Sequence, residues 1–168
     1  EAYDMDVGQR IADYVLHPSA VRSAGESSTG GELTTTVYVE DTLPKGLTYI
    51  PNSSYWGGTY TQTEEGKQGV VEGGQQIKPE ITANENGTTT LRWILKDVTI
   101  TSKEVTEIEP IYYSCDIGKP GDEENDVQNN DQLLNTAIIW SDNEQRRDFE
   151  DYNNNLADFS ILISKNNA

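Results

Sequence analysis

The sequence holds one cysteine, one histidine and one methionine in 168 residues, and two phenylalanines. A single cysteine, Cys115, excludes an internal disulfide. A chain of this length buries roughly 70% of its unfolded surface on folding and needs no such staple. Cys115 stands in an alternating apolar stretch, with no helix start or basic neighbour to favour its thiolate. It therefore reads as a small buried hydrophobe. The lone histidine, His17, cannot complete a tetrahedral zinc site with one cysteine. It precedes Pro18 in a segment without a serine elbow, so it offers no general base for a nucleophilic triad. Cations are scarce as well. Twelve Lys and Arg against 29 Asp and Glu give a formal net charge of -17. That balance speaks against nucleic acid and anionic membranes, both of which need Lys and Arg to displace counterions. No run is apolar and long enough to cross a bilayer, so direct membrane insertion is not expected. No charged-then-apolar leader opens the chain, which begins at Glu1 and reads as a piece of a longer protein.

Two further signals have no specificity. Gly66, Gly69, Gly73 and Gly74 match neither a phosphate loop nor a dinucleotide spacing, and read as a flexible loop. Among 29 acids some pair falls at glycosidase spacing by chance, and nothing selects one. No catalytic residue is assigned, and the chain is expected not to be an enzyme.

What is present is β-like. Leu33, Thr35, Val37 and Val39 share one face of a run whose other face carries Thr34, Thr36 and Tyr38. Gly46 to Ile50 is a second short strand. Asn86-Gly87 marks a tight hairpin turn between Ile81 and Leu95, with Leu91, Trp93 and Leu95 on one face and Arg92 and Lys96 on the other. Val105 to Ile117 reads as one long strand, with Ile111, Tyr113, Cys115 and Ile117 inward and Pro110 at an edge or bulge. Leu133 to Trp140 and Ala157 to Ile163 follow as strands. Tyr3 to Pro18 fits one helical turn or two short strands broken near Gly8. Ser19 to Gly31, Lys119 to Gln132 and Ser141 to Asn155 read as polar loops, and Val70 to Ile77 as a loop or edge strand. Many short strands without a βαβ rhythm predict an all-β fold, an antiparallel Ig-like β-sandwich of about seven to nine strands. It fills residues 1–165 as a single domain, with 166–168 a polar tail.

One stretch carries more than periodicity. "VEDTLPKGLTY", Val39 to Tyr49, sets Asp41 and a Pro44-Lys45-Gly46 turn between two β-like runs. Pro44 fixes one backbone angle and Gly46 permits a positive one, so Leu43 and Leu47 enter the core on either side of a corner between sheets. Asp41 and Thr42 would hydrogen-bond locally at the strand end. The pattern Asp-x-Leu-Pro-x-Gly-Leu resembles the signature of the DUF11 family, Ig-like repeats of bacterial surface proteins. "LRWIL" (Leu91 to Leu95), "NTAIIW" (Asn135 to Trp140) and "NNNLADFSILI" resemble later segments of that family in the same order. Together the likeness covers most of residues 32–165. It departs at the N-terminal side, where the longer Ala20 to Gly31 replaces the family's Asn-Thr-Gly loop.

The resemblance implies a non-catalytic extracellular module on the surface or wall of a bacterium, of Gram-positive type. It would serve as a stalk, spacer or adhesin domain, with neighbouring repeat domains as partners. Three candidate sites stand beside it. Tyr55, Trp56 and Tyr60 around Gly57-Gly58 form either a sugar-stacking platform or ordinary packing. The acidic loops, with Asp116, Asp122 and Asp126, offer hard oxygen ligands for Ca2+ or a solvated surface, and do not follow EF-hand spacing. Asn135 resembles the acceptor of a Lys–Asn isopeptide bond in related pilin and adhesin modules, but residues 1–44 hold no lysine to serve as donor. Apart from calcium, no cofactor is expected. Two alternative functions follow: binding of glycan or a host protein through long loops, or an accessory role beside a secreted carbohydrate-active enzyme.

Overall fold

The computed structural model describes residues 10–20, 33–64, 67–101, 105–118, 132–141 and 156–162. In chain order the strands are β1 (Arg10–Leu16), β2 (Ser19–Ala20), β3 (Leu33–Leu43), β4 (Leu47–Tyr49), β5 (Tyr55–Trp56), β6 (Thr59–Thr61), β7 (Val70–Glu72), β8 (Gln75–Gln76), β9 (Glu80–Ala83), β10 (Thr89–Ile100), β11 (Thr106–Glu107), β12 (Ile111–Ile117), β13 (Gln132–Ser141) and β14 (Leu156–Leu162). Two five-stranded sheets carry the fold. One runs β1-β12-β5-β8, with β4 also on β12; the other runs β14-β13-β3-β10-β9. Every pairing is antiparallel. The protein is an antiparallel Ig-like β-sandwich. Its strand count exceeds the seven to nine expected because two-residue pieces join the sheets and two small ribbons, β2–β11 and β6–β7, stand outside them.

Alternation builds the core. Val37, Val39, Asp41 and Leu43 of β3 and Leu91, Trp93 and Leu95 of β10 are buried. From the other sheet come Ile111, Tyr113 and Cys115 of β12 and Leu47 and Tyr49 of β4. Four aromatics meet at the centre. Tyr14 stacks on Tyr113 at 5.1 Å, and Trp93 tilts against Tyr113 at 5.0 Å. Tyr49 lies 6.4 Å away on another side. Ser54 accepts from Trp93 Nε1 at 3.0 Å and bonds the Tyr49 hydroxyl at 2.6 Å, and Asp41 accepts from the Tyr113 hydroxyl, while the Tyr14 hydroxyl is buried without a partner. A buried indole or phenol group without such a partner would lose hydrogen-bond energy on leaving water.

The Val39–Tyr49 stretch makes the expected corner. Leu47 N donates to Pro44 O at 3.2 Å, Gly46 takes φ 104°, and Leu43 and Leu47 are both buried. β3 belongs to one sheet and β4 to the other, so the turn carries the chain between them. Asp41 corrects one expectation. It does not end the strand but lies inside β3, fully buried, and accepts the Tyr113 hydroxyl on Oδ2. Register explains this: Asp41 pairs Leu91 and Ala137, on the inward face of the sheet.

Other expectations need local revision. Val105 to Ile117 is not one strand. β11 pairs β2, β12 joins the first sheet, and the break falls at Pro110, which has no N–H for a ladder and whose carbonyl accepts Gly57 N at 2.7 Å. Ser19 and Ala20, read as the start of a loop, pair β11 instead. Val70 to Ile77 splits into β7 and β8, which join different partners. The hairpin at Asn86-Gly87 is present, but its turn runs Asn84 to Thr88, closed by Asn84 N to Thr88 O at 2.9 Å. Gly87 takes a positive φ there, and Asn86 instead accepts Thr88 N on its side chain. The described part of Tyr3 to Pro18 is a strand, β1; residues 1–9 lie outside the described set.

Strand direction fixes where the chain enters and leaves. Ile117 of β12 pairs both Arg10 and Leu47, so β1 begins at the corner end of the sandwich. Thr136 of β13 pairs Thr42, near the same corner, and β14 runs antiparallel from Leu156 beside Ile138 to Leu162 beside Gln132. The first described strand thus enters, and the last leaves, at one end.

Candidate functional site

Of the three aromatics singled out in the sequence, two meet. Tyr55 and Tyr60 line a narrow cleft on the outer face of the β1–β12–β5 sheet, together with Asp13, Ser53, Gln68, Gly69, Tyr112 and Ser114. Trp56, the next residue along β5, turns the other way. It packs against the main core and donates its indole N–H to Glu109 O at 3.0 Å. A three-ring platform is therefore not formed, because successive strand residues face opposite sides.

Asp13 organises the cleft. It sits at the middle of β1, opposite Ser114 of β12. Its Oδ1 accepts the Ser114 hydroxyl at 2.6 Å. Its Oδ2 accepts Gly69 N at 2.8 Å and the Tyr60 hydroxyl. The Tyr60 ring lies nearly parallel to Tyr112, with centroids 5.8 Å apart and planes 14° apart. These contacts seat the β6–β7 ribbon over the sheet. Burial, followed by the Asp13 hydrogen bond and charge, pushes the Tyr60 pKa up to about 12.

Two of the glycines read as a flexible loop, Gly69 and Gly74, have a different task, while Gly66 lies outside the described residues. A Cβ at Gly69 would fall 2.4 Å from the Tyr60 ring. At the foot of the ribbon a Cβ on Gly58 would lie 2.7 Å from Gly74 N, and one on Gly74 2.4 Å from Gly57 O. Two backbones cross there at a distance that excludes any side chain. Asp13, Tyr112 and Ser114 were not found from the sequence. The signal existed: assigning Ile111, Tyr113 and Cys115 inward leaves Tyr112, Ser114 and Asp116 on the opposite face.

Asp116 lies two residues beyond Ser114 on that outer face. Its Oδ1 is buried without a hydrogen-bond partner, and burial raises its pKa. Among the described residues no group of three or more His, Cys, Asp or Glu gathers to hold a metal ion. Asp122 and Asp126 lie outside the described residues. Asn135 pairs Phe159 in β13, while its side chain is outside the described set. The described lysines Lys45, Lys67, Lys78 and Lys96 are all exposed. Cys115 is buried as expected, and burial, with the Asp41, Asp116 and Asp13 charges adding, pushes its thiol pKa up.

No protein-family model matches the chain, and no curated protein matches it. Among solved structures it is similar to a collagen-binding domain from a Staphylococcus aureus adhesin. The identity is 11% and the TM-score 0.41, over 91% of this chain and 88% of that one.

Proposed function

We propose that this sandwich is a non-catalytic extracellular module of a bacterial surface protein, and that it displays a surface rather than extending a stalk in line. The observation that carries the reading is the shared end. β1 enters and β14 leaves beside the Pro44–Gly46 corner, so a longer chain would pass the module at its base. An in-line spacer needs entry and exit at opposite ends. The Val39–Tyr49 stretch supports the surface-module reading, since its residues build the sheet crossing and a buried hydrogen bond instead of a reaction site. The partners expected are neighbouring modules of the same chain and a glycan or host protein reached by the far end.

Two measurements test this. Antibody raised against the recombinant domain should label intact source cells; labelling that needs permeabilised cells would refute a surface location. In single-molecule pulling through residues 10 and 162, strands attached at one end should peel apart at low force. A high-force shear event, of the kind given by strands loaded along their length from opposite ends, would restore the in-line spacer.

A further inference from the structure

Tyr60 sits in its cleft as a sugar ring sits in a binding site. One face of its ring lies on Tyr112, and its hydroxyl is held by the Asp13 carboxylate. A pyranose is recognised by the same two contacts: its C–H face on an aromatic ring, and its hydroxyls on carboxylates, amides and hydroxyls. Ser114 of β12 and Tyr55 of β5 line the same cleft and add further groups of that kind. We infer that the Asp13–Tyr112 cleft is a binding site for a single pyranose unit, with Tyr60 as its internal occupant.

The ribbon that carries Tyr60 is built to be displaced. β6 and β7 pair with each other and with neither main sheet. None of the described residues 59–64 and 67–72 belongs to the buried core cluster. A lone two-stranded ribbon is marginally stable in water, so its seat depends on what it touches. Here that includes one ring stack and the two hydrogen bonds that Tyr60 and Gly69 donate to Asp13. Gly57, Gly58 and Gly73 take positive φ at its feet, where the backbone changes direction. Lifting the ribbon bares the Tyr112 face and the Asp13 carboxylate without opening the core. A ligand must compete with Tyr60, so the native protein binds more weakly than the open site by the fraction that is open. Tyr112 and Tyr55 also lie toward the end of β12 away from the start of β1. The inference goes beyond the surface-module reading and does not depend on it.

The experiment is amide and saturation-transfer NMR on the whole domain. The probes are methyl glycosides of glucose, galactose, mannose and N-acetylglucosamine, with phenol as a control. Tyr60→Ala vacates the site and should bind at least one glycoside about tenfold more tightly than the native protein, with shifts at Gly69 and Ser114. Adding Tyr112→Ala should abolish that binding. If Tyr60→Ala takes up phenol but no glycoside, the cleft is a packing site for an aromatic ring and the proposal fails. If it takes up neither while its spectrum stays dispersed, the proposal fails as well. Should Tyr60→Ala not fold, Gly69→Ala provides the test, since its Cβ drives the Tyr60 ring off its seat. Glycoside binding by that variant supports the site, and none by it or the native protein overturns it.

Discussion

Asp41 is the residue at which sequence and structure part most sharply. An acid after a β-branched run reads as a strand breaker, because a carboxylate in the core costs several kcal/mol unless it is bonded. The structure supplies a bond from a residue 72 positions away, the Tyr113 hydroxyl. No local pattern shows such a pairing, so the sequence reveals the turn around Asp41 but not its burial. Removing the donor should be costly while packing is kept. Tyr113→Phe preserves the rings against Tyr14 and Trp93 and is expected to lower stability by about 1.5–3 kcal/mol, the range for hydrogen bonds to charged groups. Urea unfolding of both proteins checks it; a loss below about 0.5 kcal/mol would mean the bond contributes little net stability. Tyr60 gives a second prediction at this scale. Its folded pKa, about 12, lies above the ordinary value of 10.0, so the folded chain holds the proton longer than the unfolded one. The stability tied to this group is complete below pH 10 and falls as pH rises toward 12. In NMR of 13Cζ-labelled tyrosine, Tyr60 should remain a phenol at about pH 11, where unperturbed tyrosines are ionised. Asp13→Asn, which removes the carboxylate charge, should bring its titration downward.

At the scale of elements, legibility followed the length and regularity of the pattern. Thr35 to Val39 of β3 and Leu91 to Leu95 of β10 alternate strictly, and the inward residues of these runs were readable position by position. The bulge between Leu95 and Val98, where Asp97 takes φ 58°, was not, because it shifts register within an otherwise good strand. The two-residue strands β2 and β5 escaped for another reason: they owe their state to a partner rather than to their own residues. The cleft was legible in the same degree. Its aromatics on β5 and β6 drew attention, whereas Asp13 came from a segment with no clear period. The corner lies between these cases, since turn chemistry is local. Its two special residues should therefore separate cleanly on mutation. Gly46→Ala places a Cβ at φ 104° and is expected to cost about 1–3 kcal/mol. Pro44→Ala acts mainly by loosening the unfolded chain, at about 0.4–1 kcal/mol. Equal losses in chemical denaturation would show that Gly46 carries no backbone demand of its own.

For the molecule as a whole, charge is the dominant unbalanced quantity. A formal charge of -17 on 168 residues makes the folded chain repel itself, and compaction increases that repulsion. An ion pair such as Arg92 with Glu40, at 2.6 Å, cancels one charge against one and leaves the excess unchanged. Added salt should therefore raise the melting temperature, steeply up to about 0.1 M, where the screening length falls to about 10 Å, and slowly beyond. Calcium would add something different. If Asp116 or the acidic stretches holding Asp122 and Asp126 form a site, the native state gains RT ln(1 + [L]/Kd) that screening cannot supply. Asp116 by itself brings one carboxylate, and calcium takes six to eight oxygens. The expected result is that calcium and magnesium, compared at equal ionic strength with chelator-treated protein in sodium chloride, give the same melt. A rise specific to calcium, saturating as its concentration increases, would show instead that the acids act as ligands. The charge would then have a partner, and the domain would owe part of its rigidity to the ion.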